Sequence, residues 1–360
     1  MNSAELKSAL FTEARALGFD VCRMASSEKP PHAEEFRKWL GEGKHGDMAW
    51  LARNADRRTD PDLVLPGVRS IIVLGMNYWQ PASAPQSAIR GPHSSPGRIA
   101  RYAWGDDYHD IIEPRLWQLD AWLQTHGGRQ RQYVDTGPVL ERDFAALAGA
   151  GWHGKSTMLI HSKLGTWLFL ATILTTLELP PDEASHDHCG KCTRCITACP
   201  TGAITAPQKL DARLCISYLT IENKGPIPEH LRPLLGDRIY GCDDCLDACP
   251  WNRFAQESRE ARFAAREFAS MPLRDFLALD DDAFRTLFRG SPIKRIKRPR
   301  FLRNVCVALG NTGTAEDLPS LERAAQDPDP LIAEHAQWAL KQIEARSTPA
   351  TSPAPTRGAA

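Results

Sequence analysis

The sequence lacks an excess of either charge and lacks any long hydrophobic segment. Its 44 lysine and arginine residues balance 44 aspartate and glutamate residues, which argues against general affinity for nucleic acid and restricts such binding to a local basic patch. No stretch of about 18 uncharged apolar residues occurs, so no membrane span is expected. The start of the chain has no apolar signal-peptide core, so we expect a cytoplasmic protein.

Hydrophobic residues make up 42% of the 360 residues, enough for a sizeable core, and the length favours two or three domains. Alternating helical and strand patterns predict a mixed α/β domain over residues 1–180. Its helices are predicted at 5–17, 34–40, 108–124 and 139–149. Its strands are predicted at 68–74 and 132–135, with two more between 158 and 177.

The rest of the chain divides by composition. Residues 181–258 contain most of the cysteines and few periodic elements, whereas residues 259–346 have a helical pattern. Within the latter, residues 300–345 resemble a HEAT-like helical pair around the Asp-Pro repeat at 327–330. Residues 347–360 read STPATSPAPTRGAA and are predicted to be disordered, and the Pro-, Ser- and Gly-rich residues 81–97 are predicted to form an exposed loop.

Eight of the ten cysteines lie between residues 189 and 249. Residues 189–200 read CGKCTRCITACP, the C-x2-C-x2-C-x3-C-P run of bacterial ferredoxins, in which three thiolates hold one [4Fe–4S] cluster and the fourth holds another. Residues 242–250 read CDDCLDACP and lack one cysteine of that run. The two motifs supply seven thiolates, and two clusters need eight, so Cys215 is the predicted eighth ligand.

The crossover between the motifs predicts two ligand sets. One set is Cys189, Cys192, Cys195 and Cys249, and the other is Cys199, Cys215, Cys242 and Cys245. The alternative is a pair of zinc sites, but zinc ribbons present two separated C-x2-C pairs instead of three cysteines at two-residue gaps. Cys22 and Cys306 are predicted to be buried apolar residues.

Residues 149–156 read GAGWHGKS and match the phosphate-binding pattern G-x-x-x-x-G-K-S letter for letter. A phosphate-binding loop of this kind needs a strand before it and a helix after it. The predicted context is the reverse, a helix followed by a strand, so nucleotide hydrolysis is not expected. Lys155 could still bind an anionic or amide-bearing cofactor.

Three segments around the cysteines resemble epoxyqueuosine reductases: CGKCTRCITACPTGAI, LCISYLT and GDRIYGCDDCLDACPWN. Upstream, ARYAWGDDYHD at 100–110 and VDTGPVLER at 134–142 also resemble this family. The resemblance covers nearly the whole chain, including the helical C-terminal region. It implies a fold similar to the cobalamin-binding part of reductive dehalogenases, joined to a ferredoxin-like module with two clusters.

The resemblance also implies the activity. Members of this family use cobalamin and two [4Fe–4S] clusters to remove the epoxide oxygen of epoxyqueuosine at the wobble position of tRNA, which gives queuosine. The residues alone do not indicate cobalamin, because the D-x-H-x-x-G motif that supplies a histidine to cobalt in other proteins is absent; residues 107–112 read DYHDII. That absence agrees with the family, whose cobalamin is not held by such a histidine.

Asp135 matches the proton donor of the family. An alkoxide is a poor leaving group, so a nearby acid lowers the barrier, and burial against the corrin would keep that acid protonated. Without the resemblance, an Asp that caps the helix starting near Val139 would be the preferred interpretation. Arg58 and Lys155 match cobalamin-binding positions, with solvated surface charge as the alternative. Weaker candidates for the cofactor pocket are Arg101, His109, Ser217 and Asp243, the last two only because they adjoin cluster ligands.

Residues 294–303 read KRIKRPRFLR and contain six cations in ten residues. Clustered cations release counterions from phosphates, so we expect tRNA to bind Lys294, Arg295, Lys297, Arg298, Arg300 and Arg303. The alternative is an exposed, solvated helix end. Lys224 is a further candidate for tRNA contact.

Two other functions compete with a monomeric tRNA-modifying enzyme that receives electrons from an unidentified donor. A ferredoxin-like electron carrier would leave Asp135 and the basic segment unexplained. A cobalamin-dependent reductive dehalogenase acting on small molecules would leave the basic C-terminal region without a role.

Overall fold

The computed structural model describes residues 1–81 and 96–347. The α-helices of this part are α1 (Ser3–Ala16), α2 (Ala33–Gly41), α3 (Ala49–Arg53), α4 (Ala55–Thr59), α5 (Tyr108–Gln124), α6 (Glu141–Leu147), α7 (Arg194–Ala198), α8 (Ile216–Ile221), α9 (Arg232–Leu235), α10 (Asp244–Asp247), α11 (Leu273–Phe276), α12 (Asp281–Leu287), α13 (Lys297–Thr312), α14 (Leu318–Ala324) and α15 (Pro330–Ser347). The strands are β1 (Val21–Ser26), β2 (Ser70–Asn77), β3 (Arg98–Ile99), β4 (Gln130–Tyr133), β5 (Trp152–His153), β6 (Leu159–Ile160), β7 (Leu168–Thr175), β8 (Ile204–Ala206), β9 (Lys209–Leu210) and β10 (Arg238–Tyr240).

A four-stranded sheet in the order β1-β2-β7-β4 organises the N-terminal half. All three strand pairs are antiparallel. Every residue of β2 is buried, because both faces of the sheet are covered: Ile72 and Leu74 belong to one hydrophobic cluster, and Ile71 and Val73 belong to another. A strand that is buried on both faces reads as a continuous apolar run, which is why residues 68–74 were recognisable in the sequence.

The helix predicted at 108–124 is α5, and the Asp107 side chain caps it by accepting from the His109 N–H. The predicted strand at 132–135 is wrong at its end, because β4 stops at Tyr133 and Asp135 lies in a loop with φ 51°. The two strands predicted between 158 and 177 are confirmed as β6 and β7. The predicted loop at 81–97 lies largely outside the described residues, as does the predicted tail beyond residue 347.

The C-terminal helices form their own hydrophobic cluster, in which α13 buries ten consecutive residues from Phe301 to Gly310. The region from 300 to 345 contains three helices, α13, α14 and α15, instead of one pair. The short strand β3 pairs in parallel with β10, so that Ile99 and Trp104 join the C-terminal cluster. The predicted domain boundaries stay predictions. Among the helices of residues 1–81 and 96–347, none combines the length and the hydrophobicity that a membrane span requires.

Candidate active site and cluster-binding cysteines

Asp135 lies in the loop between β4 and α6, and its carboxylate is held by two side chains from the start of α5. The Tyr108 hydroxyl donates to Oδ2, and His109 Nε2 lies 3.1 Å from Oδ1. The Asp135 side chain is 51% exposed, so the protein alone does not bury it. Helix α6 has Leu140 at its N-cap and no side-chain cap, so the interpretation of Asp135 as a helix cap is wrong.

His109 connects two carboxylates. Its Nδ1 lies 2.8 Å from Asp107 Oδ1, while its Nε2 faces Asp135. Although burial lowers the pKa of His109, the hydrogen bonds to Asp107 and Asp135 raise it to about 10 overall. A protonated imidazole donates from both nitrogens, so His109 can hold a proton against Asp135. Burial, followed by the Asp135 charge, raises the pKa of Tyr108 far above its usual range, which keeps Tyr108 a neutral donor.

Glu141 is a site residue that the sequence interpretation missed, although it stands in the quoted VDTGPVLER segment. Its Oε1 accepts the backbone N–H of Asp135 at 3.2 Å. Burial, followed by the charge of Asp135, raises the pKa of Glu141 to about 8. Glu141 therefore fixes the backbone conformation of Asp135 and is a second carboxyl group that can retain a proton near neutral pH.

Arg58 is buried near this loop. Its Nη1 donates to the Val139 carbonyl at 3.2 Å, and its guanidinium lies over the Trp50 ring at 5.2 Å. Burial lowers the pKa of Arg58, and the neighbouring Glu141 and Asp135 charges oppose that shift. This position contradicts the interpretation of Arg58 as solvated surface charge.

Arg101 connects the α/β part to the cysteine module. Its backbone N–H donates to Asp243 Oδ2 at 2.6 Å, and its guanidinium lies over the rings of Trp104 and Trp167 at 4.3 Å and 5.0 Å. Burial raises the pKa of Asp243 to about 7, although the Arg101 N–H acts in the opposite direction. Arg101 and Asp243, both predicted cofactor residues, are therefore in direct contact.

The structure gathers the eight cysteines into two groups. The Cys249 thiol interacts electrostatically with Cys189, Cys195 and Cys192. The Cys245 thiol interacts in the same way with Cys215, Cys242 and Cys199. These groups match the two predicted ligand sets, including the crossover of Cys199 and Cys249 between the motifs. Cys22 and Cys306 are buried outside both groups.

Cys215 precedes α8, whose first turn faces its sulfur. Burial raises the pKa of the Cys215 thiol, while the backbone N–H groups of Tyr218 and Ser217 lower it. Backbone N–H groups directed at a sulfur stabilise a thiolate, which is the form that binds iron. Ser217 thus contacts the Cys215 sulfur through its backbone N–H.

Lys155 lies against the first cysteine group. Its Nζ donates to the carbonyls of Gly190 at 2.6 Å and Cys192 at 3.0 Å. The surrounding GAGWHGKS segment follows α6 and contains β5, which is the first strand of the β5–β6 hairpin. A phosphate-binding loop would be followed by a helix, and no helix begins at Lys155. The structure therefore agrees with the expectation that this segment does not bind a nucleotide phosphate. A cofactor contact by Lys155 stays a prediction.

Fewer cations of the basic segment 294–303 are available to bind tRNA than its sequence indicated. Arg303 is fully buried and donates to the carbonyls of Leu219, Asn223 and Gly225, so the prediction that it contacts tRNA is wrong. Arg298 forms an ion pair with Asp327 at 2.5 Å, and its side chain is only 15% exposed. Arg300 donates to the carbonyls of its own segment and of α8.

Three cations of the segment, Lys294, Arg295 and Lys297, are exposed. Arg295 forms an ion pair with Glu222 and interacts electrostatically with Tyr108. Lys224 is also exposed and follows Glu222 in the loop that Arg303 holds. Arg295 and Lys224 therefore border the loop after α8, and Arg295 interacts electrostatically with the tyrosine that binds Asp135.

Two buried hydrogen-bond donors without protein partners indicate that a cofactor binds next to Arg58 and Arg101. Arg58 Nε and Arg101 Nε are both buried and have no hydrogen-bond partner. Buried donors without partners are costly, and the amide and phosphate oxygens of a cobalamin are acceptors that would satisfy them. The residues present thus fit the cofactor that the resemblance implies.

Two family models match the chain. The 4Fe-4S double cluster binding domain matches residues 188–252, and the model described as epoxyqueuosine reductase QueG, DUF1730, matches residues 58–136. The second match spans Arg58, Arg101, His109 and Asp135. The first spans all eight clustered cysteines, so the chain holds two [4Fe–4S] clusters.

Curated relatives and solved structures agree with the models. The epoxyqueuosine reductase of Xanthomonas campestris pv. campestris is 44% identical, over 92% of this chain and 94% of the relative. That of Escherichia coli strain K12 is 41% identical, over 92% and 88%. A crystal structure of epoxyqueuosine reductase with an epoxyqueuosine-modified tRNA-Tyr stem loop has a TM-score of 0.89 at 30% identity and covers 95% of this chain and 91% of that one.

Another structure, of the Bacillus subtilis epoxyqueuosine reductase with its catalytic aspartate loop swung out of the active site, has a TM-score of 0.86 at 28% identity and covers 95% and 91%. The similarity thus extends over sequence, cysteine module and whole fold. The chain belongs to the epoxyqueuosine reductase family, an oxidoreductase family that uses cobalamin and two [4Fe–4S] clusters.

Proposed function

We propose that this chain reduces epoxyqueuosine to queuosine at the wobble position of tRNA. The observation that carries the proposal is the Asp135 carboxylate, held by Tyr108 and His109 in a chain that also groups eight cysteines. Conversion of an epoxide to an alkene takes up two electrons and two protons and releases the oxygen as water. An electron carrier has no use for a proton donor of this kind.

The bound cofactors supply the electrons, and the cysteines and arginines hold those cofactors. One cluster would be ligated by Cys189, Cys192, Cys195 and Cys249, and the other by Cys199, Cys215, Cys242 and Cys245. Arg58 and Arg101 would donate to cobalamin through the Nε atoms that lack protein partners. Asp243 adjoins Cys242 and contacts Arg101, so it lies between the second cysteine group and the proposed cofactor pocket.

The side chains around Asp135 manage the protons. Asp135 donates one proton to the departing epoxide oxygen, which avoids an unstable alkoxide. His109, protonated through its contacts with both carboxylates, returns a proton to Asp135 Oδ1 across the 3.1 Å contact. Tyr108 holds Oδ2 and orients the carboxyl group.

The Asp135 loop is expected to move during turnover. The loop holds Asp135 at φ 51°, a conformation that a non-glycine residue adopts only when its surroundings enforce it. One enforcing contact is the hydrogen bond from the Asp135 N–H to Glu141. The Bacillus subtilis relative has its catalytic aspartate loop swung out of the active site, which supports an open and a closed position here.

The tRNA would approach over the exposed cations. A relative has been crystallised with an epoxyqueuosine-modified stem loop. In this chain Lys294, Arg295, Lys297 and Lys224 would contact phosphates, and Arg295 interacts electrostatically with Tyr108, which holds Asp135. We further propose that the enzyme works in the cytoplasm as a monomer and takes electrons from a separate donor protein.

The direct test is to incubate the cluster- and cobalamin-loaded enzyme with tRNA that contains epoxyqueuosine and a chemical reductant. Digestion to nucleosides and mass spectrometry should show loss of one oxygen atom from the modified nucleoside. Oxidation of the clusters without any change in the tRNA would support the electron-carrier alternative. Activity on halogenated small molecules, with the tRNA unchanged, would support the dehalogenase alternative.

A further inference from the structure

A second polar cluster includes Asp143 in the first turn of α6, two residues after Glu141, and the reductase function does not use it. His32 precedes α2, Asp143 lies in α6, and His153 belongs to β5. One ligand atom from each of the three side chains lies within 4.8 Å of the other two. The cluster thus joins the segment before α2 to α6 and to β5, which follows α6 in the chain.

Asp143 is the buried centre of the cluster. Its residue is 3% exposed, and its Oδ1 lies 2.9 Å from His32 Nδ1 and 3.6 Å from His153 Nδ1. Its Oδ2 accepts the backbone N–H of His32 at 3.1 Å. The two imidazole rings are perpendicular, with centroids 5.0 Å apart, so both approach the same carboxylate oxygen from different directions.

The hydrogen bonding of His153 leaves a lone pair without a partner. His153 Nε2 lies 3.0 Å from the Thr157 carbonyl, which can only accept, so Nε2 carries the proton and Nδ1 of the neutral ring does not. Nδ1 is buried and has no hydrogen-bond partner, since 3.6 Å to Asp143 is too long for one. A bare nitrogen lone pair that faces a carboxylate oxygen is repulsive unless a cation lies between them.

The arrangement has the features of a metal site. Tetrahedral zinc with bonds of about 2.0–2.1 Å places its ligand atoms roughly 3.3 Å apart, and the observed separations from Asp143 Oδ1 lie on both sides of that value. Metal-binding histidines usually donate the second ring N–H to a carbonyl or carboxylate, as His153 does to Thr157. The His32 side chain is 39% exposed, which provides a route for an ion.

We propose that His32, Asp143 and His153 bind one divalent transition-metal ion of the zinc class. His153 binds through Nδ1, Asp143 through Oδ1, and His32 through Nδ1 after release of its proton, with water as the fourth ligand. The ion would tie the start of α2 and the β5–β6 hairpin to α6, the helix that also carries Glu141. Its role is structural, and it is independent of the proposed reductase function.

The test measures zinc in protein that holds both [4Fe–4S] clusters, because the eight cysteines would bind zinc themselves if they carried no iron. The anaerobic holoenzyme is equilibrated with zinc chloride and passed over a desalting column, and zinc and iron are counted in the same sample. Wild type should retain one zinc more per chain than His153→Gln, with equal iron. Gln keeps a donor for the Thr157 carbonyl and removes only the Nδ1 ligand. The affinity of the variant should fall by more than the ~10–100-fold that loss of an outer-shell partner costs.

His32→Ala provides an independent second variant, since His32 is partly exposed and its loss leaves the core intact. His230→Ala removes an exposed histidine elsewhere and should leave zinc binding unchanged. Zinc should also raise the melting temperature of wild type, but it should not raise that of His32→Ala or His153→Gln. Wild type that retains no zinc, or equal zinc in wild type, His32→Ala and His153→Gln, would overturn the proposal.

Discussion

At the scale of single residues, proton placement determines what this site can do. Asp107, His109 and Asp135 form a continuous chain of hydrogen-bonded groups, and Glu141 contacts the backbone of the last one. The protonated histidine that faces Asp135 is therefore a proton source at hydrogen-bonding distance, and it can return a proton after Asp135 has donated one.

Replacement of Asp135 by Asn should remove the acid while keeping its size and its hydrogen bond from Tyr108. We expect turnover to fall by roughly two to four orders of magnitude, the usual contribution of a general acid. Cobalamin and tRNA binding should change little, as measured by absorption spectra and by titration of labelled tRNA. Wild-type turnover in Asp135→Asn would identify water or another side chain as the donor.

His109 predicts a pH dependence of stability. Its folded pKa of about 10 lies above the ~6.5 of an unfolded histidine, so its stabilising contribution is complete below about pH 6.5 and is lost as the pH rises through about 10. His109→Gln should melt at a lower temperature than wild type at about pH 6, and the difference should shrink toward pH 10. Melting curves of both proteins, with His230→Gln as the control, test this. A difference independent of pH would mean that His109 is not protonated in the fold.

At the scale of elements, the sequence predicts best what depends on local pattern. Helix α5 follows from its apolar spacing and from Asp107 at its start, and β2 follows from a β-branched run. The division of the eight cysteines into two ligand sets follows from counting thiolates across the two motifs. These features depend on residues that lie close in sequence or on a fixed cluster stoichiometry.

The sequence did not predict features that depend on tertiary contacts. Asp135 lies in a loop and not in a strand because Tyr108 and Glu141 hold it there. Arg303 resembles its exposed neighbours in the sequence, yet carbonyls about 80 residues away in the loop after α8 bury it. The function of a charged residue within a basic run was therefore not readable from charge density alone.

The basic segment gives a graded prediction for tRNA binding. Replacing Lys294 and Lys297 with Gln should weaken binding and reduce its salt dependence by about one unit of slope per lost phosphate contact. Both residues are exposed, and the clusters should be unaffected, since their proposed ligands lie elsewhere. Lys341→Gln, an exposed cation on α15, serves as the control. Titration of labelled tRNA at two salt concentrations gives both quantities, and an unchanged slope would make the segment solvated surface.

At the scale of the whole molecule, the cysteine module contacts both the N-terminal α/β part, which has two hydrophobic clusters, and the C-terminal helices, which have a third. Leu246 belongs to the N-terminal cluster that contains Ile72 and Leu74, and Cys245 packs against it, whereas Cys215 and Cys242 pack against the C-terminal cluster. The second cysteine group therefore draws ligands from both sides of the molecule. Loading of its cluster should depend on the whole chain being folded.

Cys215 provides the test of that arrangement. Eight thiolates predict about eight irons per chain, and Cys215→Ala should lose up to one cluster because only three thiolates remain in its group. Cys22→Ala, which removes a buried cysteine outside both groups, should keep the wild-type iron content. Iron analysis and electron paramagnetic resonance of the anaerobic proteins measure this. Full iron content in Cys215→Ala would remove Cys215 from the ligand set.

The central claim is that one chain carries both the electron-transfer module and the acid that releases the epoxide oxygen of a tRNA nucleoside. Its most direct test is a single-turnover reaction of the reduced holoenzyme, wild type and Asp135→Asn, with tRNA that contains epoxyqueuosine. We predict that wild type converts the nucleoside to queuosine with loss of one oxygen atom, and that Asp135→Asn binds the same tRNA and leaves the epoxide intact on that timescale. An unchanged epoxide in the presence of reduced, tRNA-bound wild type would contradict the claim.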